Sequence, residues 1–402
     1  MKRIIALIFC FVFMCNIFVC AEKRIASECD ISDIDVPLEA SSNNAVIGQK
    51  LDIKAKSVIL MEVNTGKILY EDNADEALPP ASITKIMSLL LVMEAIDRGD
   101  FDLQTVISAS EHACSMGGSQ IWLEPGESME VDSLLKAAVI ASANDATVAL
   151  GEAVAGSEEG FVALMNERAK ELGMINTNFV NCTGLDAEGH LTSAHDVAIM
   201  SCELIKHDLI KDYSTVWMDT LRNGESELVN TNKLVRFYEG TTGLKTGTTS
   251  TAGYCLSATA QRNGMELAAV VMGGDTSNDR FGGAKKLLDY GFANYIFSKV
   301  DANLDKDIVV EIDKGTEKKL SLDAKGTVNL LMKKNEAKEI IRKTVLNENI
   351  TAPIKKGDVL GEVEIYLGDE VVGSIPLTAS KDIDKLSFLT TLGWILKGLF
   401  IL

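Results

Sequence analysis

The patterning of this chain predicts an α/β fold of the α+β kind: one sheet whose strands come from both ends of a domain, a helical lobe inserted between them, and a small all-β domain afterwards. Three observations carry that expectation. Strand-like runs joined by short turns stand at residues 57–71 and again at 254–272; helical periodicity dominates the stretch between them; and from Ser298 onward short alternating segments take over, broken by Gly and charged turns.

Taken in order, Met1, Lys2 and Arg3 precede an apolar run from Ile4 to Val19 and the small residue Ala21. A basic start, an apolar middle and a small-residue exit mark a secretory signal peptide, so residues 1–21 are expected to be removed and the protein exported. The run is short for a bilayer span, which disfavours a permanent membrane helix, and the bulky Val19 before Cys20 disfavours a lipoprotein. Residues 22–46 are polar and acidic without apolar periodicity, a flexible leader. Residues 47–297 form the main domain. Within it Ser57–Val63 and Lys67–Glu71 flank Asn64-Thr65-Gly66 as a hairpin. After Pro79-Pro80, Ile86, Leu89, Leu90, Met93 and Ile96 share one helix face that Gly99 closes. Helices follow at about Val131–Val154, Glu159–Leu172 and Ala194–His207. Tyr254–Ala260 and Glu266–Met272 enclose Gln261-Arg262-Asn263-Gly264, a turn that accepts positive φ, and a helix is expected from about Gly283 to Phe297.

Residues 298–384 alternate in short runs (Asp307–Ile312, Thr327–Met332, Val359–Tyr366, Glu370–Pro376) and carry no chemical motif. In residues 385–402, helical spacing gathers Phe388, Leu389, Leu392, Ile395, Leu396 and Leu399 opposite Ser387, Thr391 and Lys397. That stretch is too short and too polar on one side to span a bilayer, and fits an in-plane anchor on a membrane surface, with docking on the protein's own core as the alternative.

The formal charge of −19 becomes −21 once Lys2 and Arg3 leave, which argues against nucleic-acid binding. Cys29, Cys114, Cys182, Cys202 and Cys255 remain after the signal, odd in number and without CxxC spacing, and read as small core residues or free thiols. No metal site and no cofactor are expected.

Three short motifs carry the chemistry: Ser82-Ile83-Thr84-Lys85, Ser142-Ala143-Asn144 and Lys245-Thr246-Gly247. Pro79-Pro80 place Ser82 at the start of the next helix, where free N–H groups favour developing negative charge. Lys85, three residues on, shares its face and can reach the hydroxyl. It can act as a base only if its amine is neutral, which needs desolvation or a second cation; Lys245 is a candidate for that cation. A strand edge with Lys245, Thr246 and Gly247 offers a charge and a hydroxyl to a carboxylate and lets substrate backbone lie close. Ser142 can relay a proton and the Asn144 amide can hold a carbonyl. A Ser-x-x-Lys arises roughly once or twice by chance in such a length, and Ser133-Leu134-Leu135-Lys136 is a second instance. Lys-Thr-Gly is expected only about 0.1 times. Order and placement select Ser82.

The chain resembles the low-molecular-weight penicillin-binding proteins that act as D-alanyl-D-alanine carboxypeptidases, peptidase family S11. Beyond the three motifs, Pro80-Ala81-Ser82-Ile83-Thr84-Lys85-Ile86-Met87, Asn144-Asp145-Ala146, Asn178-Phe179 with Thr183-Gly184-Leu185-Asp186, Gly243-Leu244-Lys245-Thr246-Gly247, and Lys286-Leu287-Leu288 with Gly291-Phe292 are similar to that family. The resemblance implies a serine β-lactamase/transpeptidase-like catalytic domain, an acyl ester on Ser82, Lys85 as general base and Ser142 assisting departure of D-alanine. It implies Lys245, Thr246 and Arg280 at the terminal carboxylate, and an oxyanion hole from the N–H groups of Ser82 and Thr248. Its implied partners are peptidoglycan stem peptides ending in D-Ala-D-Ala, β-lactam antibiotics and the outer face of the cytoplasmic membrane.

Two other activities share parts of this pattern. A class A-type β-lactamase would need a Glu-x-x-Leu-Asn between Ser142 and Lys245, which is absent, and would turn penicillin over rapidly. A catalytically silent wall-peptide scaffold would be indifferent to Ser82→Ala. His112, His190, His195 and His207 are scattered and read as surface or helix-face residues, and Glu158-Glu159 as a solvated face.

Overall fold

The computed structural model describes residues 50–302, 308–336, 340–388 and 392. The expected signal peptide (1–21) and leader (22–46) lie outside the described residues, as do residues 389–391 and 393–402 of the expected helix 385–402.

β1 (Ser57–Glu62) and β2 (Ile68–Asp72) form a hairpin. Its turn is tied down by Glu62, whose carboxylate accepts from Asn64 Nδ2, Thr65 N and Thr65 Oγ1 at 2.7 to 3.1 Å. The helical lobe comes next, beginning with a 3₁₀ turn at Ala81–Thr84 and the helix Lys85–Arg98, which Gly99 closes at φ 78°. β3 (Val106–Ser108) and β4 (Ser128–Glu130) pair at its edge. The helices Val131–Ile140, Asn144–Ala155, Glu158–Glu171 and Ala194–Lys206 complete it.

The single helix expected over Val131–Val154 is two. Ser142 takes φ 63°, and the backbone N–H groups beyond the break are met from elsewhere, Asn144 N by Ser119 O at 2.7 Å. Apolar periodicity is equally good on both sides of Ser142, so the pattern alone carries no mark of the interruption.

After the hairpin β5 (Met218–Leu221) and β6 (Ser226–Val229), the chain returns to the sheet as β7 (Thr241–Thr249), β8 (Gly253–Arg262) and β9 (Met265–Gly274). The antiparallel order is β2-β1-β9-β8-β7, so strands from both ends of the domain meet at β1 and β9, and β7 is an edge. The closing helix, Ser277–Asn294, starts six residues before the expected Gly283. Thr276 and Asp279 form a capping box there, and Gly283 lies inside the helix because a side chain at that position would stand 2.8 Å from Ile53 Cγ2.

The domain is three layers. Ile59 and Met61 of β1 face the helical lobe with Ile86, Leu90 and Leu134, while Val58 and Leu60 face the closing helix with Leu287 and Leu288. Both faces of β1 are buried, which is why it reads as a continuous apolar run.

In the C-terminal part, β10 (Tyr295–Asp301) pairs with β13 (Thr327–Lys333). A five-stranded sheet joins β11 (Ile308–Glu311), β12 (Lys319–Ala324), β16 (Glu370–Ala379), β15 (Val359–Leu367) and β14 (Ile340–Leu346) in that spatial order. Strands β12 and β14 add to the segments named from the sequence, and β12 alternates with Leu320 and Leu322 turned inward. Lys385 and Leu386, assigned by the sequence to the terminal helix, still pair with Gly315 and Lys314 of this domain. Among the described residues no helix is long and apolar enough to cross a membrane.

Candidate active site

The segment before the nucleophile motif is fixed by reciprocal backbone bonds between Leu78 and Thr192 at 2.7 and 2.9 Å. Pro79-Pro80 then end the extended run and Ala81 adopts φ 50°, a sterically costly conformation for a residue with a Cβ. Ser82 therefore sits in the 3₁₀ turn, one step ahead of the α-helix in which it was expected, and Lys85 is the first α-helical residue. The change does not break the pairing, since i,i+3 side chains eclipse in a 3₁₀ turn. Lys85 Nζ is 3.1 Å from Ser82 Oγ.

The Lys85 side chain is fully buried. Its amine donates to Asn144 Oδ1 at 2.5 Å and to the Thr183 carbonyl at 2.7 Å. A neutral amine has two N–H donors and one lone pair; these two acceptors use both donors and leave the lone pair for the Ser82 O–H. Burial pushes the amine down from its ordinary 10.5 to about 7, against the opposing pull of Cys182 and Asp145. Desolvation is the leading cause of the lowering.

Asn144 works at both ends: Oδ1 takes the lysine, and Nδ2 donates to Gly117 O at 2.6 Å. Its amide thus orients the Lys85 amine. Ser142 projects from the positive-φ break just before it, and its hydroxyl makes no hydrogen bond among the described residues. The neighbouring Asp145 accepts from Ile121 N, Leu123 N and Ala146 N, pinning the loop that carries Gly117 and Ser119.

Across the cleft lies the edge strand β7. Lys245 is buried, and its amine is held well below the usual lysine range, first by burial and then by the charges of Lys85 and Arg280. Thr246 Oγ1 donates to Thr231 Oγ1 at 2.8 Å, a partner that no motif pointed to. Gly247 meets the nucleophile turn itself. A Cβ there would stand 2.9 Å from Pro80 O and 3.0 Å from Ser82 N, so the glycine permits strand and turn to touch, as well as any substrate. Arg280 is turned under the strand, with Nη1 donating to Gly247 O (3.0 Å), Thr248 Oγ1 (2.8 Å) and Cys255 O (3.3 Å). In this arrangement it braces β7.

Two further residues hold the turn, one of them, Gly184, from the family-like Thr183-Gly184-Leu185-Asp186 segment and the other a histidine outside any motif. Gly184, at φ 86°, lies so close to the turn that a Cβ would come within 1.8 Å of Ala81 O. His190 is buried instead of surface-exposed: Val180 N donates to its Nδ1 at 2.9 Å, which leaves the ring proton on Nε2 to bond Thr84 Oγ1 at 2.8 Å. Burial lowers its pKa to about 4, so the ring is neutral and buttresses the nucleophile turn. His195 and His207 pair with Asp75 and Asp97, and Lys136 of the second Ser-x-x-Lys pairs with Asp132 and Asp219. The four described cysteines are free thiols, three of them buried.

A serine hydroxyl against a buried lysine whose pKa is lowered to about 7, with a second buried lysine on a strand edge, is the equipment of serine acyl transfer. The chain matches the family model described as D-alanyl-D-alanine carboxypeptidase over residues 43–276, and that of the penicillin-binding protein 5 C-terminal domain over residues 299–385. It is similar to D-alanyl-D-alanine carboxypeptidase DacF of Bacillus subtilis, at 44% identity over 84% of this chain and 88% of that one. Among solved structures it is similar to penicillin binding protein 5 from Haemophilus influenzae (TM-score 0.69, 31% identity, 84% of this chain and 100% of that one). It is also similar to penicillin-binding protein D2 from Listeria monocytogenes in its ampicillin-bound form (TM-score 0.56, 32% identity, 61% of this chain and 100% of that one). The chain belongs to the D-alanyl-D-alanine carboxypeptidase family.

Proposed function

We propose that this carboxypeptidase removes the terminal D-alanine from peptidoglycan stem peptides ending in D-Ala-D-Ala, through an acyl ester on Ser82. The observation that carries the reading is the fully buried Lys85 amine, 3.1 Å from Ser82 Oγ, with both of its neutral-state donors already engaged.

Neutral Lys85 takes the Ser82 proton as Oγ attacks the carbonyl of the penultimate D-alanine. The N–H groups of Ser82 and Thr248 face the oxygen as it becomes an anion. The C–N bond breaks as the proton taken up by Lys85 passes by way of Ser142 to the departing nitrogen, and D-alanine leaves with Lys85 neutral again. Water then attacks the ester carbonyl, giving up a proton to Lys85, which passes it to Ser82 Oγ as the ester C–O bond breaks. Lys245 and Thr246 receive the substrate's terminal carboxylate; Gly247, Thr248 and Arg280 set the strand they stand on. A β-lactam carries a strained amide and a carboxylate in a comparable relation and acylates the same serine, a reading supported by the family membership and the ampicillin-bound neighbour. The signal-like residues 1–21 and the apolar face of residues 385–402 support an exported enzyme held at the outer face of the cytoplasmic membrane.

Purified protein is expected to release D-alanine from a pentapeptide ending in D-Ala-D-Ala, and Ser82→Ala none. Absence of release by the unmodified chain refutes the assignment.

A further inference from the structure

The base rests on a turn that is itself held from behind. Lys85 and Ser88 lie one helical turn apart, and they grip two successive carbonyls: Ser88 Oγ donates to Cys182 O at 2.6 Å and Lys85 Nζ to Thr183 O at 2.7 Å. Asn181 Oδ1 closes the turn internally, accepting from Thr183 N, Thr183 Oγ1 and Gly184 N. From the far side, Glu158 Oε1 accepts the Cys182 N–H at 3.1 Å, and its second oxygen lies 2.6 Å from His112 Nε2. Glu158 opens the helix Glu158–Glu171, and its side chain is only 13% exposed, so it is not the solvated residue its acidic neighbour suggested.

We infer that Glu158 is a positioning residue for acyl transfer: by holding the Cys182 N–H it sets the Thr183 carbonyl against which the Lys85 amine is aimed at Ser82, and His112 keeps its carboxylate turned inward. The neutral Lys85 amine has two donors, and their two acceptors decide where its lone pair points. One acceptor, Asn144 Oδ1, is fixed by the Gly117 contact. The other, Thr183 O, sits on a four-residue turn whose sole described side-chain tie to the helix Glu158–Glu171 is Glu158. If that tie is cut the amine can rotate away from Ser82, and it loses an acceptor that favours its protonated form, so its pKa falls further. The groups facing Glu158 are His112, from the helix Glu111–Cys114, and the Cys182 thiol, which burial keeps neutral; Glu152 and Glu159 face His112 in turn.

This inference rests on the reading of Lys85 as the base, and the test separates the two. Acylation of the full chain at Ser82 by a fluorescent penicillin is measured first, as a rate against pH; if none occurs, the reading of the site fails and the inference with it. Given acylation, Glu158→Ala is expected to lower the rate about tenfold and to move the acidic limb of its pH profile downward. Glu158→Gln, which keeps an acceptor for Cys182 N, is expected to stay within about threefold of the unmodified chain with the limb in place. Should Glu158→Ala not fold, Glu158→Asp, one methylene too short to reach Cys182 N, is expected to show the same loss. A folded Glu158→Ala or Glu158→Asp with unchanged rate and limb would overturn the proposal, as would a Glu158→Gln that loses as much as alanine.

Discussion

Replacing Asn144 by Asp changes one group next to the base and should move its titration in a calculable direction. Asn144 Oδ1 stands 2.5 Å from Lys85 Nζ, and burial holds that amine at about 7. A carboxylate within a few ångströms of an amine raises its pKa by about 1–3 units, which places Lys85 at roughly 8–10. Because the neutral form is the base, acylation should rise with pH through the lysine pKa and level off above it. At pH 7 the neutral fraction would drop from about half to roughly a tenth or a thousandth, so the rate should fall about five- to five-hundredfold and recover toward the unmodified value near pH 10. Asp cannot donate to Gly117 O as Asn144 Nδ2 does, so Tm is followed alongside to register any loss of packing. The assay is the second-order rate of labelling by a fluorescent penicillin between pH 5 and 10. A rate that falls while its acidic limb stays near 7 would show that Asn144 does not govern the proton affinity of the base, and would refute this reasoning.

Other outcomes follow from the same contacts. Gly184→Ala combines a positive φ with a Cβ 1.8 Å from a backbone oxygen, and should lower Tm by more than about 5 °C while abolishing labelling at Ser82; normal labelling would contradict the close approach described. Lys245→Gln removes a buried amine from the expected carboxylate site and should cost about a hundredfold in kcat/KM for peptide, with penicillin labelling falling in parallel; a full rate would exclude Lys245 from substrate binding. Lys85 has a lower pKa folded than unfolded, so the unfolded chain binds more protons between pH 7 and 10.5 and stability rises with pH across that window, by up to about 5 kcal/mol from this group. Denaturant unfolding of the unmodified chain and of Lys85→Met at pH 7 and 10 should show that the mutant lacks this increment; an identical pH dependence would contradict the lowered pKa.

What the sequence disclosed were the residues whose spacing is local. Ser82 and Lys85 are neighbours through three residues of backbone, and Lys245 to Gly247 stand on a strand whose period is short, so motif and pattern sufficed to find them. The hairpins at Asn64-Thr65-Gly66 and Asn263-Gly264 were legible because their turns demand particular residues. What escaped was set by distant partners. Thr183 stands in a family-like segment, but its contact with Lys85 runs through a carbonyl, which every residue possesses; His190 is buried by segments far from it in sequence; Glu158 sits beside another glutamate, yet it alone turns inward to His112 and Cys182. The break at Ser142 is likewise met by a distant partner, Ser119, whereas the helix start at Ser277 follows a local capping box of Thr276 and Asp279. Arg280 shows the converse: its place near the strand was anticipated, but its hydrogen bonds run to Gly247, Thr248 and Cys255.

The central claim, that Ser82 carries the acyl group, is tested most directly by intact mass after exposure to a penicillin. The unmodified chain and Ser133→Ala should each gain one drug mass, and Ser82→Ala none, with its Tm showing that it is folded. An adduct that persists in folded Ser82→Ala, or one that disappears with Ser133→Ala, would contradict the account.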